Sequence, residues 1–474
     1  MAVSGWQLAR AVSRTGQLGV VSGTALDVVL ARRLQLGDPA GDIRRAMEDF
    51  PNPAVAERIL TSYYVEGGVD AGAAFKAVPV FSVQPRQRSL DLAVMGGFVE
   101  VLLAKLGHDG MVGINFLEKI QTPTPPTLYG AMLAGVDVVL VGAGIPRDIP
   151  RLLDGLAANE PIELPLHVTD GDGVAVSFDP RSVVPQAGAA LPRPTFLAII
   201  ASTALAISLA RKTPGVDGFV IEGASAGGHN APPRGEGVLV AGQPVYGVRD
   251  EVDLEKIREL GLPFWLAGGQ ATPDRLRRAL EVGAAGIQVG TAFAFCEESG
   301  IAPELRAGVL AEVRTGDVTV FTDPLASPTG FPFKVVALAG TLSDEEVVEA
   351  RERRCDLGYL REIYVAPDGH LGYRCPAEPV QDYVRKGGDA SNTVSRKCIC
   401  NGLTATVGLG QRRQGVEEPP IVTAGNDLEK LGRVLDPDRH AYTASDVVDY
   451  LLGASPAADG TTAPDAVPAT AEPT

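Results

Sequence analysis

Short apolar runs rich in β-branched residues alternate with amphipathic segments between Leu18 and Thr291. The apolar runs predict eight strands, at Gly19–Ser22, Met111–Leu117, Val136–Gly142, Leu164–Val168, Phe196–Ser202, Val216–Glu222, Pro263–Ala267 and Ala285–Gly290. The segments between them predict helices, as at Pro126–Ala134, Ile149–Ala157, Ala204–Lys212, Leu254–Leu260 and Asp274–Val282. Strands that alternate with helices are typical of βα units around a parallel sheet. The pattern therefore predicts an α/β fold, a TIM (β/α)8 barrel.

An open, doubly wound sheet is the competing architecture. Its signature is a Gly-x-Gly-x-x-Gly turn after an early strand, and the sequence has none there. The closest approach, Gly142-Ala143-Gly144, breaks off at Ile145-Pro146. The closed barrel is therefore favoured.

Two stretches interrupt the alternation and predict insertions. Asp38–Gly110 is long for a single crossover, and Gly171–Pro194 is rich in Gly, Pro and Asp. Insertions on the catalytic face of a barrel commonly shape the substrate pocket, so these two are candidate lids. We predict a barrel domain over residues 1–345, a smaller C-terminal cysteine-containing module over 346–453 and a disordered tail over 454–474.

The 474-residue chain has a formal net charge of −16, which argues against nucleic acid as a partner because phosphate-backbone binders carry clustered Lys and Arg. No stretch reaches the roughly twenty apolar residues of a membrane span, and Met1–Arg14 does not resemble a secretory signal. The five cysteines are too few and too unevenly spaced for a disulfide scaffold. We therefore expect a cytoplasmic protein with no membrane among its partners.

The stretch Phe219–Asn230 leads from an apolar run through Gly227 and Gly228 to His229. The run predicts a buried parallel strand, and the glycines let backbone N–H groups approach a flat or anionic ligand. An imidazole at the mouth of a pocket suits general acid/base chemistry. His229 is therefore a candidate catalytic residue, with a solvated histidine in an ordinary glycine-rich turn as the alternative.

Two further predicted strands end in glycine. Ala267-Gly268-Gly269 precedes Thr272, a predicted helix N-cap, and Pro273 at the first helical position. Free N–H groups and the positive end of the helix dipole would make this an anion site. Gln288-Val289-Gly290-Thr291 ends the last predicted strand and adds open backbone and a hydroxyl. Phosphate sites of barrels are typically built from the loops after the last two strands.

Four cysteines cluster in the C-terminal region, at Cys355, Cys375, Cys398 and Cys400. Four thiolates that converge would satisfy a tetrahedral Zn²⁺ or anchor an iron–sulfur cluster. The spacing is not the paired Cys-x-x-Cys of a zinc ribbon, and four small buried apolar residues are the alternative. The fifth cysteine, Cys296, is predicted to be a core residue.

Glu222-Gly223-x-x-Ala226-Gly227-Gly228-His229, Ala267-Gly268-Gly269 and Gln288-Val289-Gly290-Thr291 together resemble the nitronate monooxygenase family, formerly called 2-nitropropane dioxygenases. They also resemble related flavin-dependent enoyl reductases. Supporting matches are Ala11–Gly19, Gly113-Ile114-Asn115 and Pro125–Val139, so that the resemblance runs over residues 5–335.

The resemblance implies a flavin-dependent TIM-barrel oxidoreductase that binds FMN and oxidises alkyl nitronates or nitroalkanes with O₂. It implies that His229 is the base that takes the α-proton of a nitroalkane. The residues that it places around FMN are Ser22, Gly23, Asn115, Ala226, Gly227, Gly228, Gly268, Gly269, Gln288, Gly290 and Thr291. Within that set, Gly268, Gly269, Gly290 and Thr291 would hold the phosphate. The implied partners are a small-molecule substrate and O₂, and a homodimer is one candidate assembly.

The chain departs from the family pattern in two places. The family's first strand, which ends in Pro-Met-Ala-Gly, is missing before Ala11–Gly19, so either Val78–Val83 or Leu164–Val168 is expected to close the barrel. Asn230–Arg234, after His229, resembles the enoyl reductases of polyketide-type systems at least as well. The alternative function is therefore an NAD(P)H-dependent reductase of enoyl thioesters or quinones. A third is a flavin-binding scaffold subunit whose cysteine module docks a partner.

Overall fold

The computed structural model describes residues 1–186, 188–235, 237–433 and 440–453. Among these residues, seven parallel strands form the central sheet. In chain order they are β1 (Gly19–Ser22), β2 (Val112–Leu117), β3 (Val138–Gly142), β4 (Thr195–Ile200), β5 (Gly218–Glu222), β6 (Phe264–Ala267) and β7 (Gly286–Gln288). Each strand pairs in parallel with the next one along the chain. This order is that of a (β/α) barrel, and the predicted α/β fold of TIM-barrel type is confirmed.

One predicted strand does not join this sheet. Neither Leu164–Val168 nor Val78–Val83 pairs with it, so the expectation that one of them closes the barrel is wrong. Instead, Ile162–Pro165 pairs antiparallel with Ala175–Phe178. Along Ile162–Pro165 buried and exposed residues alternate, which suits a hairpin with one solvated face, whereas a parallel barrel strand is covered on both faces.

Helices cover the outer face of the sheet, and further helices lie in the C-terminal region. In chain order they are α1 (Trp6–Arg14), α2 (Leu26–Gln35), α3 (Asp42–Glu48), α4 (Pro53–Tyr63), α5 (Gln87–Lys105), α6 (Thr124–Leu133), α7 (Ile149–Ala157), α8 (Thr203–Lys212), α9 (Leu254–Glu259), α10 (Pro273–Glu281), α11 (Thr291–Ala294), α12 (Pro303–Thr315), α13 (Glu345–Ala350), α14 (Val380–Arg385), α15 (Ile399–Thr406) and α16 (Ala444–Leu451). Within the described ranges, no helix combines the length and the apolar character needed to cross a membrane.

Short strands and 3₁₀ helices are the other regular elements within the described residues. The strands outside the central sheet are Ile162–Pro165, Val168–Thr169, Ala175–Phe178, Leu239–Val240, Gln243–Pro244, Val320–Asp323, Phe333–Val336, Glu362–Val365, Leu371–Arg374, Arg412–Arg413 and Val416–Glu417. The 3₁₀ helices are Pro180–Ser182, Val248–Asp250, Ala390–Thr393 and Asn426–Arg433.

The two faces of the central sheet bury different residues. Val21 and Ile114 belong to the large apolar cluster that includes the outer helices. Leu140, Val220 and Ala267 belong to a separate inner cluster. Because side chains alternate along a strand, the inner-face residues at the carboxyl end are Ser22, Asn115, Glu222, Ala267 and Gln288. These side chains share one end of the barrel interior.

The C-terminal region packs against the strand-bearing part of the chain. Leu8 of α1 shares a buried cluster with Val447 of α16, and Ala25 shares another with Ile399 of α15. The boundaries predicted at residues 345 and 453 stay predictions. The predicted tail, 454–474, lies outside the described residues.

Candidate active site

Three glycine-containing loops follow neighbouring strands. They come after β5, β6 and β7 and contain Gly227-Gly228, Gly268-Gly269 and Gly290. Gly228, Gly268 and Gly269 have φ angles of +79°, +86° and +65°, in the left-handed region that favours glycine. A Cβ atom on Gly268 would lie 3.0 Å from the backbone nitrogen of Ala226, so the first two loops are in contact. The structure therefore brings these predicted residues together.

The loops after β6 and β7 present open backbone donors. Among the described residues, the N–H groups of Gly269, Gln270 and Gly290 donate to no other group of the protein. Thr272 is the N-cap of α10, and its Oγ1 accepts a hydrogen bond from the backbone N–H of Arg275 at 3.3 Å. Open N–H groups beside a helix N-terminus favour a bound anion. The geometry supports the predicted anion site.

A segment from the C-terminal region lies against these loops, and we call residues 423–427 the cover segment. Thr423 Oγ1 accepts a hydrogen bond from Gly228 N at 2.9 Å. Gly425 N donates to Thr291 Oγ1, also at 2.9 Å. Thr291, predicted to bind phosphate, therefore already has a hydrogen-bond partner within the protein.

Sequence reasoning did not find the cover segment. A Cβ atom on Gly227 would lie 2.8 Å from the carbonyl carbon of Ala424, so only glycine fits beneath it. A signal for the segment exists in the sequence. The apolar pair Ile421-Val422 leads into Thr423-Ala424-Gly425, the same change from apolar to small residues that marks the loops after β5 and β6.

The remaining residues of the predicted cofactor set lie at the same end of the sheet. Ser22 is in register with Asn115, and Gly23 N donates to Asn115 O at 2.8 Å. Gln288 is in register with Ala267 on the inner face. The side chains of Asn115 and Gln288 are half-buried. Both amides are therefore placed to reach a ligand inside the barrel mouth.

His229 is half-buried at the end of the loop that follows β5. Its Nε2 lies 2.7 Å from Ser327 Oγ, and its ring packs edge-on against Phe333 with 4.8 Å between ring centroids. Burial, and then the positive charges of Lys119 and the chain N-terminus, lower the pKa of His229 from 6.5 to about 4. The imidazole is therefore neutral at neutral pH, which is the form that a general base requires.

Ser327 holds His229 and was not predicted from the sequence. It is fully buried, and its Oγ also lies 2.8 Å from Thr329 Oγ1. Its carbonyl oxygen accepts a hydrogen bond from Arg396 Nη1 at 2.5 Å. Pro324–Pro332, which contains it, has the composition of a loop. Nothing in the spacing connects that loop to a histidine 98 residues earlier.

Two more ionisable groups lie near the histidine loop. Lys119 Nζ lies 3.8 Å from the centroid of the Phe331 ring, and burial lowers the pKa of Lys119. Glu222 ends β5 on the inner face of the sheet. Burial raises the pKa of its carboxyl group from 4.5 to about 7. A cation and a carboxyl group that is partly protonated at neutral pH thus accompany the neutral imidazole.

The four cysteines predicted as metal ligands do not belong to this site. Cys355, Cys375, Cys398 and Cys400 line a cavity in the C-terminal region. As the side chains stand, the described part of the chain contains no group of three or more His, Cys, Asp or Glu residues arranged to hold a metal ion.

Comparison with known proteins identifies relatives of one stretch of the chain. Residues 174–326 match the family model for nitronate monooxygenase. The probable nitronate monooxygenase of Bacillus subtilis (strain 168) is 32% identical over 108 residues, which is 23% of this chain and 29% of that protein. The nitronate monooxygenase of Pseudomonas aeruginosa (strain PAO1) is 39% identical over 88 residues, 18% of this chain and 23% of that protein.

The matched stretch spans less than a third of the length of either relative. The family-model match, residues 174–326, contains His229 and all three glycine loops, and it confirms the resemblance to the nitronate monooxygenase family. Among solved structures, FabK from Thermotoga maritima aligns with a TM-score of 0.45 at 16% identity, over 95% of this chain and 88% of that chain.

Proposed function

Because residues 174–326 carry the nitronate monooxygenase motifs, we propose that this chain is an FMN-dependent oxidoreductase that oxidises alkyl nitronates or nitroalkanes with O₂. One structural observation supports this proposal more than any other. Neutral His229, held by Ser327, ends a glycine loop whose neighbouring loops present open N–H groups. A base and an anion-binding backbone at one end of a barrel are the parts that this reaction requires.

The residues at this end of the barrel fit FMN. The open N–H groups of Gly269, Gln270 and Gly290 suit a phosphate group, which backbone donors at a helix N-terminus bind well. Gly269 adds no side chain to the space in front of these donors. The half-buried amides of Asn115 and Gln288 suit the polar edge of a flavin ring.

One group at this end opposes an anion. Asp427 lies beside the hydroxyl of Thr291, and burial raises the pKa of its carboxyl group. Its Oδ1 is buried without a hydrogen-bond partner among the described residues. In its protonated form, Asp427 would donate a hydrogen bond to a phosphate oxygen instead of repelling it.

We infer from the hydrogen bonds around His229 which ring nitrogen would act as the base. Ser327 Oγ accepts from the backbone N–H of Thr329 at 3.2 Å and lies 2.8 Å from Thr329 Oγ1. We assign the proton of the neutral ring to Nε2, which donates to Ser327 Oγ. The lone pair of Nδ1 is then free to accept the α-proton of a nitroalkane.

Lys119 would stabilise the charge that this proton transfer creates. Removal of the α-proton places negative charge on the nitro oxygens. The ammonium group of Lys119 is partly desolvated, and its positive charge lowers the pKa of His229. The same positive charge would stabilise negative charge on the nitro oxygens. Bound FMN would accept electrons from the substrate and pass them to O₂.

The second candidate function is an NAD(P)H-dependent reductase of enoyl thioesters or quinones. An apolar hairpin favours it: Leu239 and Val240, which pair with Gln243–Pro244, are 53% and 63% exposed. Tyr246 Oη donates to Ala231 O at 3.0 Å and so holds this region beside the residues that follow His229. An acyl chain would cover this apolar surface, whereas a small nitroalkane would not.

Spectra and turnover of the purified protein separate these functions. We expect the absorption of oxidised flavin, release of FMN on denaturation, and O₂ consumption with an alkyl nitronate in the absence of NAD(P)H. Rapid anaerobic bleaching by NADPH together with reduction of an enoyl thioester would select the alternative. A flavin-loaded protein that turns over none of these substrates and forms a stable complex with another protein would select the scaffold subunit.

The cysteines support a cytoplasmic setting for the proposed enzyme. All five are free, and four of them are buried. Free thiols persist in a reducing compartment. The proposed reaction partners are a small nitro compound and O₂, and light scattering of the purified protein tests the homodimer.

A further inference from the structure

Four cysteines from three loops surround one small cavity in the C-terminal region. Cys355 lies in the loop after α13, Cys375 follows the strand Leu371–Arg374, and Cys398 and Cys400 lie at the start of α15. All four line the same cavity. Its interior accommodates about one sphere of the size of a water molecule. Residues from separate loops therefore meet around a space suited to a single ion.

A backbone N–H group lies near each of the four sulfur atoms, although burial raises the pKa of all four thiols. The pairs are Gly358 with Cys355, Ala377 with Cys375, Asn401 with Cys398 and Leu360 with Cys400. A backbone donor stabilises the negatively charged thiolate relative to the neutral thiol. Hydrogen bonds to the ligand atoms are also what orients and tunes the ligands of a protein-bound metal.

Basic side chains surround the same thiols. Arg351, whose side chain is 7% exposed, pairs through Nε with Glu418 and lies against Cys398. Its Nη2 is buried and has no hydrogen-bond partner within the described residues. A thiolate at Cys398 would give this N–H group an acceptor. Without a metal ion Cys398 is a neutral thiol: burial raises its pKa to about 11, and its Sγ donates to Arg354 O at 3.8 Å. The unused donor of Arg351 would gain an acceptor when a metal ion displaces the thiol proton.

The other thiols also have basic neighbours. Arg361 and Lys386 lie near Cys355, and Arg353 lies near Cys375. The acidic neighbour of these two thiols, Glu378, is paired with Lys386 at 2.7 Å. Four thiolates around one Zn²⁺ carry a net charge of −2, and this basic surround would offset it.

We propose that Cys355, Cys375, Cys398 and Cys400 bind one Zn²⁺ as a closed tetrahedral site. The side chains as they stand are not gathered around one point, so binding requires them to turn towards the cavity and release four thiol protons. The size of the cavity favours a single ion over an iron–sulfur cluster. The cavity is distinct from the site of His229, although Pro328, the residue after Ser327, also lines it. Zinc binding here does not depend on the proposed oxidoreductase activity.

The ion would fix the C-terminal region to the barrel. Ile399, between two of the ligands, shares a buried cluster with Ala25 and Ile120 of the strand-bearing part of the chain. Metal binding energy at a site that forms only in the folded state adds to folding stability. Zinc at this position would therefore stabilise the face on which the two parts of the chain meet.

Elemental analysis of the purified full chain tests the proposal. We expect about one zinc per chain after dialysis against EDTA, and loss of that zinc in Cys398→Ser. The matched control is Cys296→Ser, which removes a buried cysteine in a different apolar cluster and should leave the zinc content unchanged. Replacement by Co²⁺ should give the visible absorption bands of a tetrahedral cobalt thiolate.

Three results would overturn the proposal. The first is wild-type protein that holds no metal and, after reduction, takes up neither Zn²⁺ nor Co²⁺. The second is several iron atoms with acid-labile sulfide, which would replace the single ion by a cluster. The third is equal zinc content in Cys398→Ser and Cys296→Ser. If Cys398→Ser does not fold, the wild-type metal content and the cobalt spectrum decide alone.

Discussion

The Nε2 atom of His229 lies 2.7 Å from Ser327 Oγ, although 98 residues separate them in the chain. Ser327 is completely buried, so it holds the ring in one orientation, and Phe333 packs edge-on against it. The family match ends at residue 326. The group that positions the proposed base therefore lies just beyond the stretch that matches the family model.

Ser327→Ala should slow the proposed reaction without removing the flavin. The substitution removes the hydrogen-bond partner of His229 Nε2, and a net loss of about 1 kcal/mol corresponds to a decrease in kcat/KM of roughly five-fold. Steady-state kinetics with a nitroalkane measure it. Ser299→Ala is the control, because Ser299 is also buried and its Oγ donates to Ala294 O. Equal kcat/KM in both variants would leave Ser327 without a positioning role.

His229→Asn should retain FMN and lose about 10²–10⁴-fold in turnover of neutral nitroalkanes, which is the usual contribution of a positioned base. Preformed nitronates are already deprotonated and should be affected less. The comparison of the two substrates is the measurement. His370→Asn, at a side chain that is 85% exposed, is the control and should behave like the wild type. Unchanged rates with both substrates in His229→Asn would make His229 a structural residue.

The lowered pKa of His229 also makes stability depend on pH. Its pKa is about 4 in the folded protein against an ordinary value of 6.5, so the unfolded chain binds more protons between these values. The free energy of unfolding should therefore fall as pH drops from 6.5 towards 4. Urea titrations should show that the stability of the wild type relative to His229→Asn is greater at pH 8 than at pH 5. A difference that does not vary with pH would contradict the burial of a neutral imidazole.

Glu222 should have the opposite effect. Burial raises the pKa of this carboxyl group from 4.5 to about 7, so the folded state binds more protons and the free energy of unfolding falls as pH rises through that range. Glu222→Gln removes the titration. The variant should gain roughly 1–3 kcal/mol relative to the wild type between pH 5 and pH 8. The same urea titrations measure this gain. A loss of stability in Glu222→Gln over this pH range would show that Glu222 is stabilised as the anion.

Gly290 allows a test of the phosphate site at a single position. Its φ is −112° and a Cβ atom would meet nothing within 4 Å, so Gly290→Ala should fold and retain FMN. Gly290→Asp places a carboxylate beside the proposed phosphate and should expel the cofactor through like-charge repulsion. The FMN content of the two variants is the readout. Full FMN occupancy in Gly290→Asp would show that the phosphate binds elsewhere.

Thr423→Val should weaken FMN binding although Thr423 lies far from the family-matched stretch. The change removes the acceptor for Gly228 N. A loss of about 1 kcal/mol in the free energy of FMN binding, from a less well ordered glycine loop, corresponds to a roughly five-fold higher Kd. Fluorescence titration of the apoprotein measures the Kd. Thr319→Val, at an exposed threonine, should leave it unchanged. An unaltered Kd in Thr423→Val would limit the cover segment to a structural role.

The sequence predicted the elements whose pattern is local. Ile149–Ala157 was placed correctly to the residue, and each of the seven central strands was found as a short apolar run between amphipathic segments. Leu164–Val168 was misassigned because apolar content alone does not distinguish a barrel strand from one arm of a hairpin. What distinguishes them is the alternation of burial along Ile162–Pro165, which depends on the neighbouring strand.

The candidate site was predictable where its residues follow consecutive strands. The glycine loops after β5, β6 and β7 meet because parallel neighbouring strands end at one edge. Ser327 and the cover segment were not predictable in this way, since their positions depend on tertiary packing across 98 and 195 residues of chain. No spacing rule applies at such separations.

The hydrogen bond between Gly228 and Thr423 has a consequence for how the protein is made. These residues are 195 positions apart, and at about 5–20 residues per second a ribosome needs roughly 10–40 s to travel from one to the other. Throughout that interval the glycine loop of the nascent chain lacks the segment that will lie over it. The proposed flavin pocket would thus be finished late in translation, and a cofactor captured earlier would be held by an incomplete set of contacts.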